Sequence, residues 1–358
     1  MLNDDKRPFP EDKSGPYQVS AEGGPIRGMG WGLIGLDRAT AGLEAMISSG
    51  RLPHALLLTG PRGGGKNSLA RALAAALNCA APVDGGGPCG QCPSCQKIAK
   101  DIHPDLISLG PSGKARLIKM EDIQNLRAQM AFRPFEGRVK VFIIREADRL
   151  SQESGNALLK TLEEPPPDSL LILTSASEAE VMATILSRCL RLRLPPLPQA
   201  LVLEALAERR SLSGPPARLL AALAAGALGP ALNLDPEETW AGWTELHRIM
   251  GAPSAPARLE AAWAWVKKTV AHEEGWANQL NLMRLWWRET ARLAAAGAEG
   301  LEGPPPDPAQ LQWAARLSPK AIERVNAAQS KLEDSLSRFV KAELAFENYW
   351  LSVFAAGA

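Results

Sequence analysis

The stretch "GPRGGGKNS", residues 60–68, limits what this chain can fold into more than any other. It follows a short apolar run, "ALLLT", and leads into a helical pattern, "NSLARALAAALNCA". Gly60, four residues, Gly65 and Lys66 have the spacing of a phosphate-binding loop set between a strand and a helix. In such a loop, glycines such as Gly60, Gly63 and Gly65 let backbone N–H groups wrap phosphate oxygens. The helix N-terminus adds positive potential, and Lys66 reaches the terminal phosphates. Two more brief apolar runs, "VKVFII" (139–144) and "SLLILTS" (169–175), read as buried strands. Between them "SQESGNALLKTLEE" has helical spacing, with Ser151 as its N-cap. Strands alternating with helices from Gly32 to about Leu194 predict a parallel sheet covered on both faces.

"LPPLPQ" (194–199) breaks that pattern and marks a domain boundary. Beyond it the chain is rich in Ala and Leu, without a convincing strand. The ten tryptophans are unevenly spread, nine of them at or after Trp240. Trp286 and Trp287 fit the core of a helical bundle better than a stacking site for a cofactor. The expected organisation is a tail at 1–30, an α/β domain at 31–195, a small helical domain at 196–238 and an all-α domain at 239–358. The first 30 residues mix acids, bases, Pro and Gly, lack the apolar centre of a signal peptide, and read as disordered. No apolar run reaches the roughly 18–20 residues needed to span a bilayer. A net charge of +1 gives no reason to expect strong nonspecific binding to nucleic acid. The expectation is a cytoplasmic protein that does not engage membranes.

The metal half of the phosphate site departs from the hydrolysing pattern. The hydroxyl that supports Mg²⁺ normally follows the loop lysine, and here that residue is Asn67. Ser68 carries a hydroxyl, but one residue on, rotated by roughly 100° around the helix. The strand "VKVFII" ends in Arg145 and Glu146, where a working site has an Asp for the metal before its acid. A guanidinium at that place repels a cation. ATP or ADP binding is expected to be possible, and turnover is not.

Four of the five cysteines, Cys79, Cys89, Cys92 and Cys95, are spaced C-x9-C-x2-C-x2-C. Close thiolates around a Gly-rich loop suit a tetrahedral zinc site made of four cysteines, and four protein ligands make such a site structural. His103 is expected to be a turn residue, and removal of the metal to unfold 79–103 without abolishing the fold. Further on, "ILSRCLRLRL" (185–194) carries Arg188, which on residues alone is either a surface charge or an arginine finger for a neighbour's nucleotide site.

The cysteine insertion after the P-loop helix, "RLPHALLLTGP" (51–61), "NALLKTLEEPP" (156–166) and "LSRC" (186–189) occur here in one order. As a set they resemble the clamp-loader subunits of bacterial DNA polymerase III, and among these the delta prime subunits. The resemblance runs from about Gly32 to the end of the small helical unit. It implies an α/β AAA+ (RecA-like) P-loop domain with a four-cysteine zinc insertion at 79–103, a small helical lid domain and an all-α C-terminal collar. It further implies that Arg188 is a finger acting in trans. The implied partners are the tau/gamma motor subunits and the delta subunit in a ring, the sliding clamp, and primer–template DNA reached through the complex. Motor subunits of this family keep Thr after the lysine, Asp at the end of the second strand, and an arginine within a Gly-x-x-Arg segment. Here these positions hold Asn67, Arg145 and Gly229. Two alternatives stand beside the stator reading. One is an ATP-hydrolysing motor in which Asn67 and Ser68 share the metal. The other is a zinc-dependent nucleic-acid-binding module, with Arg116, Lys119, Arg127 and Arg133 as a basic patch or as a solvated helix face.

Overall fold

The computed structural model describes residues 31–83, 86–113, 116–270, 276–338 and 340–356. The tail expected at 1–30 lies outside them. The described residues form two compact units, one strand-containing and one helical.

The strand-containing unit is built on five parallel strands: β1 (Ala55–Thr59), β2 (Leu106–Leu109), β3 (Lys140–Ile144), β4 (Ser169–Ser175) and β5 (Leu190–Arg193), ordered β2-β3-β4-β1-β5. The sequence predicts the three central strands and misses β2 and β5. Both lie at sheet edges, pair on one side only, run four residues, and are largely accessible, so neither has the continuous apolar run of a buried strand. The central strands alternate their side chains between two cores, as the two-residue period requires. Leu56, Leu58, Val141, Ile143 and Ile172 face α1 (Asp37–Ser48) and α2 (Lys66–Asn78). The cysteine segment, with α3 (Pro93–Ala99), packs on that same side. Leu57, Phe142, Ile144, Leu171 and Leu173 face α4 (Met120–Met130), α5 (Gln152–Glu163) and α6 (Ala183–Leu186). In this register Thr59 of β1 lies beside Ser175 of β4, and Ile144 of β3 beside Leu173. The carboxyl ends of β1, β4 and β3 therefore meet where a parallel sheet presents its ligands.

Helices α7 (Gln199–Arg210), α8 (Gly214–Ala224), α9 (Leu228–Asn233), α10 (Pro236–Met250), α11 (Ala255–Val270), α12 (Trp276–Ala296), α13 (Pro308–Arg316), α14 (Pro319–Ser337) and α15 (Ala342–Ala356) follow. In the helical unit Leu219 and Ala222 of α8 share one apolar core with Trp243, Trp286, Trp313 and Trp350. Trp286 and Trp287 are buried core residues, as expected from their setting. The indole N–H groups of Trp287 and Trp313 donate to Tyr349 Oη and to the Met250 carbonyl, each at 3.0 Å. Large rings with satisfied polar edges give this unit apolar area without buried orphans at those positions. Among the described residues no helix is long and apolar enough to cross a membrane.

Candidate functional site

The phosphate loop leaves β1 at Gly60 and enters α2 at Lys66. Gly65, in the left-handed region at φ 86°, turns the chain into the helix. Gly60 (φ 149°) passes so close beneath the Leu194 carbonyl that any Cβ would collide with it. The loop therefore has the shape of a phosphate cradle, although its cation is already occupied. Lys66 Nζ donates to the carbonyls of Gly60 and Pro61, each at 2.7 Å. At the far side the Gly229 N–H donates to the Gly63 carbonyl at 3.0 Å. A Cβ at Gly229 would sit 3.0 Å from that oxygen, so glycine is what lets this segment lie on the loop.

The metal half is organised differently from a hydrolysing site. Arg145 is exposed, and its guanidinium lies over Gly110 at the end of β2, on the side of β3 remote from β1. Glu146 has φ 52°, and its N–H donates to Thr174 Oγ1 at the end of β4, at 3.3 Å. Its carboxylate accepts from Arg116 Nη2 at 3.0 Å and lies 3.7 Å from Arg62 Nη2. Asn67 Oδ1 is buried and has no hydrogen-bond partner among the described residues. The donor set fits a phosphate better than a phosphate with its metal: backbone N–H groups and a lysine are present, while the residue after β3 is Arg145 in place of a carboxylate, with its guanidinium turned to Gly110. Sequence reading missed Thr174, Arg62 and the link between Arg116 and Glu146. The position of Thr174 at the end of a central strand was the available signal; the arginine pairings join segments distant in sequence.

Arg188 follows α6. This short helix seats on α5 because Gly155 leaves room for Met182 Sδ, which a Cβ would strike. The Arg188 guanidinium is held on three sides. Nε and Nη2 donate to Glu163 Oε1 at 3.0 and 2.5 Å, and Nη1 donates to the Thr184 carbonyl at 3.0 Å and to Ser187 Oγ at 3.1 Å. The side chain keeps 34% of its surface exposed. Cys189 is different, since burial pushes its thiol up to about 11, which suits an inert packing residue.

The four cysteines come together at the end of α2 and the start of α3. Their sulfurs all lie within 4.8 Å of one another, and Cys79 and Cys92 are 3.9 Å apart. A tetrahedral zinc with bonds of about 2.3 Å sets its sulfurs roughly 3.8 Å apart, so the cluster fits that ion. Backbone N–H groups of Cys89, Cys92 and Cys95 point to the sulfurs of Cys79, Cys89 and Cys92 at 3.3, 3.3 and 3.5 Å. Burial opposes ionisation of Cys92, but the N–H groups of Cys95 and Ala80 outweigh it and bring the thiol to about 6. Burial raises Cys79 and Cys95, which makes a cation the natural counter-charge for their thiolates. His103 stays outside the cluster. It is buried; its Nδ1 accepts from the Asp105 N–H at 3.1 Å, and its Nε2 lies 2.9 Å from Ser94 Oγ.

A parallel sheet ordered in this way, with a phosphate loop after β1 and an acid after β3, is a P-loop domain of the AAA+ type. Residues 35–198 match the sequence profile of the family described as "DNA polymerase III, delta subunit". The chain is 37% identical over 207 residues to the DNA polymerase III subunit tau of Escherichia coli K12, covering 56% of this chain and 32% of that protein. It is also 37% identical over 162 residues to the gamma subunit of Buchnera aphidicola from Acyrthosiphon pisum, covering 45% of this chain and 44% of that one. The P-loop region is thus similar to subunits of the DNA polymerase III clamp loader. The matches span less than half of either relative, and similarity to delta on one side and to tau and gamma on the other does not separate the subunit types. A solved gamma-subunit-related protein of Thermotoga maritima is 16% identical, with a TM-score of 0.45 over 89% of this chain and 99% of that one, a general likeness only.

Proposed function

We propose that this chain is a delta prime-type stator of the clamp loader, one that uses a nucleotide-binding fold without turning nucleotide over. The observation that carries this reading is the state of the metal half: Arg145 stands where the metal's carboxylate belongs, and Glu146 is paired with Arg116 and Arg62. A carboxylate so neutralised is poorly placed to polarise water. In the same domain Arg188 keeps 34% of its side chain exposed and is preceded by Ser187, as suits a finger that enters a neighbouring ATP site. The stator then sits in a cytoplasmic ring with tau/gamma motor and delta subunits, joined through the helical collar at 239–358, with 196–238 as its lid. The assembly opens the sliding clamp and places it on primer–template DNA. ATP or ADP would lie on the N–H groups of the Gly60–Lys66 loop, with Lys66 exchanging its carbonyl partners for phosphate oxygens. Zinc would lie among Cys79, Cys89, Cys92 and Cys95 in a structural role.

The test is Mg²⁺-dependent ATP hydrolysis by the pure chain, and then by motor subunits assembled with wild type or Arg188→Ala. The expected result is a silent chain and a large loss of turnover in the mutant assembly. Turnover by the chain alone, or an assembly indifferent to Arg188→Ala, would sink the stator reading. The motor reading is favoured by one observation, the unpartnered Asn67 Oδ1, an acceptor able to face a metal ion. The same assay decides between them.

A further inference from the structure

The loop at residues 132–138 is the most unusual surface of the strand-containing unit. Phe132 and Phe135 are 71% and 84% exposed, yet the backbone from Phe135 to Val139 is firmly held. Asp105, fully buried, accepts from the N–H groups of Phe135, Glu136 and Gly137 at 2.7, 2.9 and 2.8 Å. Asn78 Oδ1 accepts from Arg138 and Val139 at 2.7 and 3.0 Å, while its Nδ2 donates to the carbonyls of Ala74 and Val139. The packing is so close that a Cβ at Gly137 would fall 2.5 Å from Asn78 Oδ1. Burial works against ionisation of Asp105, but the three N–H groups outweigh it and hold the carboxyl below its ordinary range.

The cysteine module closes over this arrangement from the other side. Asn78 immediately precedes the ligand Cys79, and the Cys79 carbonyl accepts from Arg138 Nη2 at 3.0 Å. Lys97 of α3 pairs with Glu136 of the loop at 2.6 Å. Ser94 of α3 meets His103, whose ring accepts from the Asp105 N–H and lies 3.5 Å from Glu136. These links cross from the segment that the metal gathers to the segment that presents the two rings. Without the module, His103 and Asp105 lose their cover, and water competes for the amides that Asp105 holds.

From this geometry we infer that the cysteine module is a metal-dependent brace for the 132–138 loop, fixing in one conformation a surface that displays Phe132 and Phe135. Zinc binding and order in this loop are then coupled, though the residues concerned lie roughly 40 positions apart in sequence. The inference rests on contacts within this domain and stands whichever subunit type the chain proves to be.

The decisive experiment is hydrogen–deuterium exchange on the full zinc-loaded chain before and after chelation, with Glu136→Gln as a companion variant. Chelation should speed exchange of the amides at 135–139 at least fivefold while β1, β3 and β4 stay protected. Glu136→Gln should keep its zinc in full and show a smaller rise at the same amides. If chelation loosens 79–103 but leaves 135–139 unchanged, the brace does not exist. Loss of protection throughout the sheet would also overturn the inference, because the metal would then be holding the whole domain.

Discussion

The phosphate loop and the Arg188 tip belong to the same domain, and their cations are in opposite conditions. At the loop, positive charge is consumed internally: Lys66 by two carbonyls, Arg62 and Arg116 by Glu146. At the tip, Arg188 is bound to Glu163, whose side chain is 50% exposed, so the pair sits in water. An exposed pair of this kind contributes about 0–1 kcal/mol and is readily exchanged for a stronger anion. A phosphate approaching the loop must displace the two short bonds of Lys66, whereas one approaching the tip displaces a screened surface contact. On the proposed stator reading, this difference is what a nucleotide-binding fold needs in order to offer a charge to another site without using its own.

The sharpest way to break the comparison is Arg188→Ala in an assembly with motor subunits. Turnover at the affected site should fall by about 10³–10⁵, the range a finger supplies, while the properties of the isolated chain stay unchanged. The opposite substitution at the loop is Arg145→Asp. Replacing the cation by a carboxylate should tighten Mg²⁺-dependent nucleotide binding by on the order of tenfold, measured with a fluorescent nucleotide with and without the metal.

Stability offers two smaller tests. Asp105→Asn removes a charged acceptor from three amides and should cost about 2–3 kcal/mol in denaturant unfolding. Because the carboxyl of folded Asp105 titrates below its ordinary range, its contribution is complete above the unfolded value near 4 and is lost as pH falls through the folded one. Wild type should therefore lose stability relative to Asp105→Asn only in acid below about pH 4–5. The smallest effect is expected for Glu163→Ala. Its loss should change global stability by less than about 1 kcal/mol, and the Arg188 Nε–H should exchange faster with solvent than in wild type.

Much of the site was legible in the sequence because its chemistry is local. Gly60, Gly65 and Lys66 lie within one turn between a strand and a helix, and Cys79, Cys89, Cys92 and Cys95 close together in sequence between the end of α2 and the start of α3, so spacing alone restricts what they can do. Arg145 was visible because a charge at the end of an apolar strand stands out. The two edge strands were not legible, since a half-exposed four-residue strand carries no distinctive pattern until its neighbour is known. The partners of Glu146 were also hidden, because Arg62 and Arg116 reach it from separate segments.

The sequence by itself determined the strand–loop–helix unit, the grouping of four cysteines and the missing acid, all of which follow from residue type and short-range order. Only the tertiary structure decided which charges cancel: that Lys66 turns back on its own loop, that Gly229 lies on Gly63, and that Asp105 and Asn78 bind a loop some 30 and 60 residues away. The physical reason is that hydrogen bonds and ion pairs act over a few ångströms. Their partners are therefore set by how the sheet brings distant segments together, which no window of sequence records.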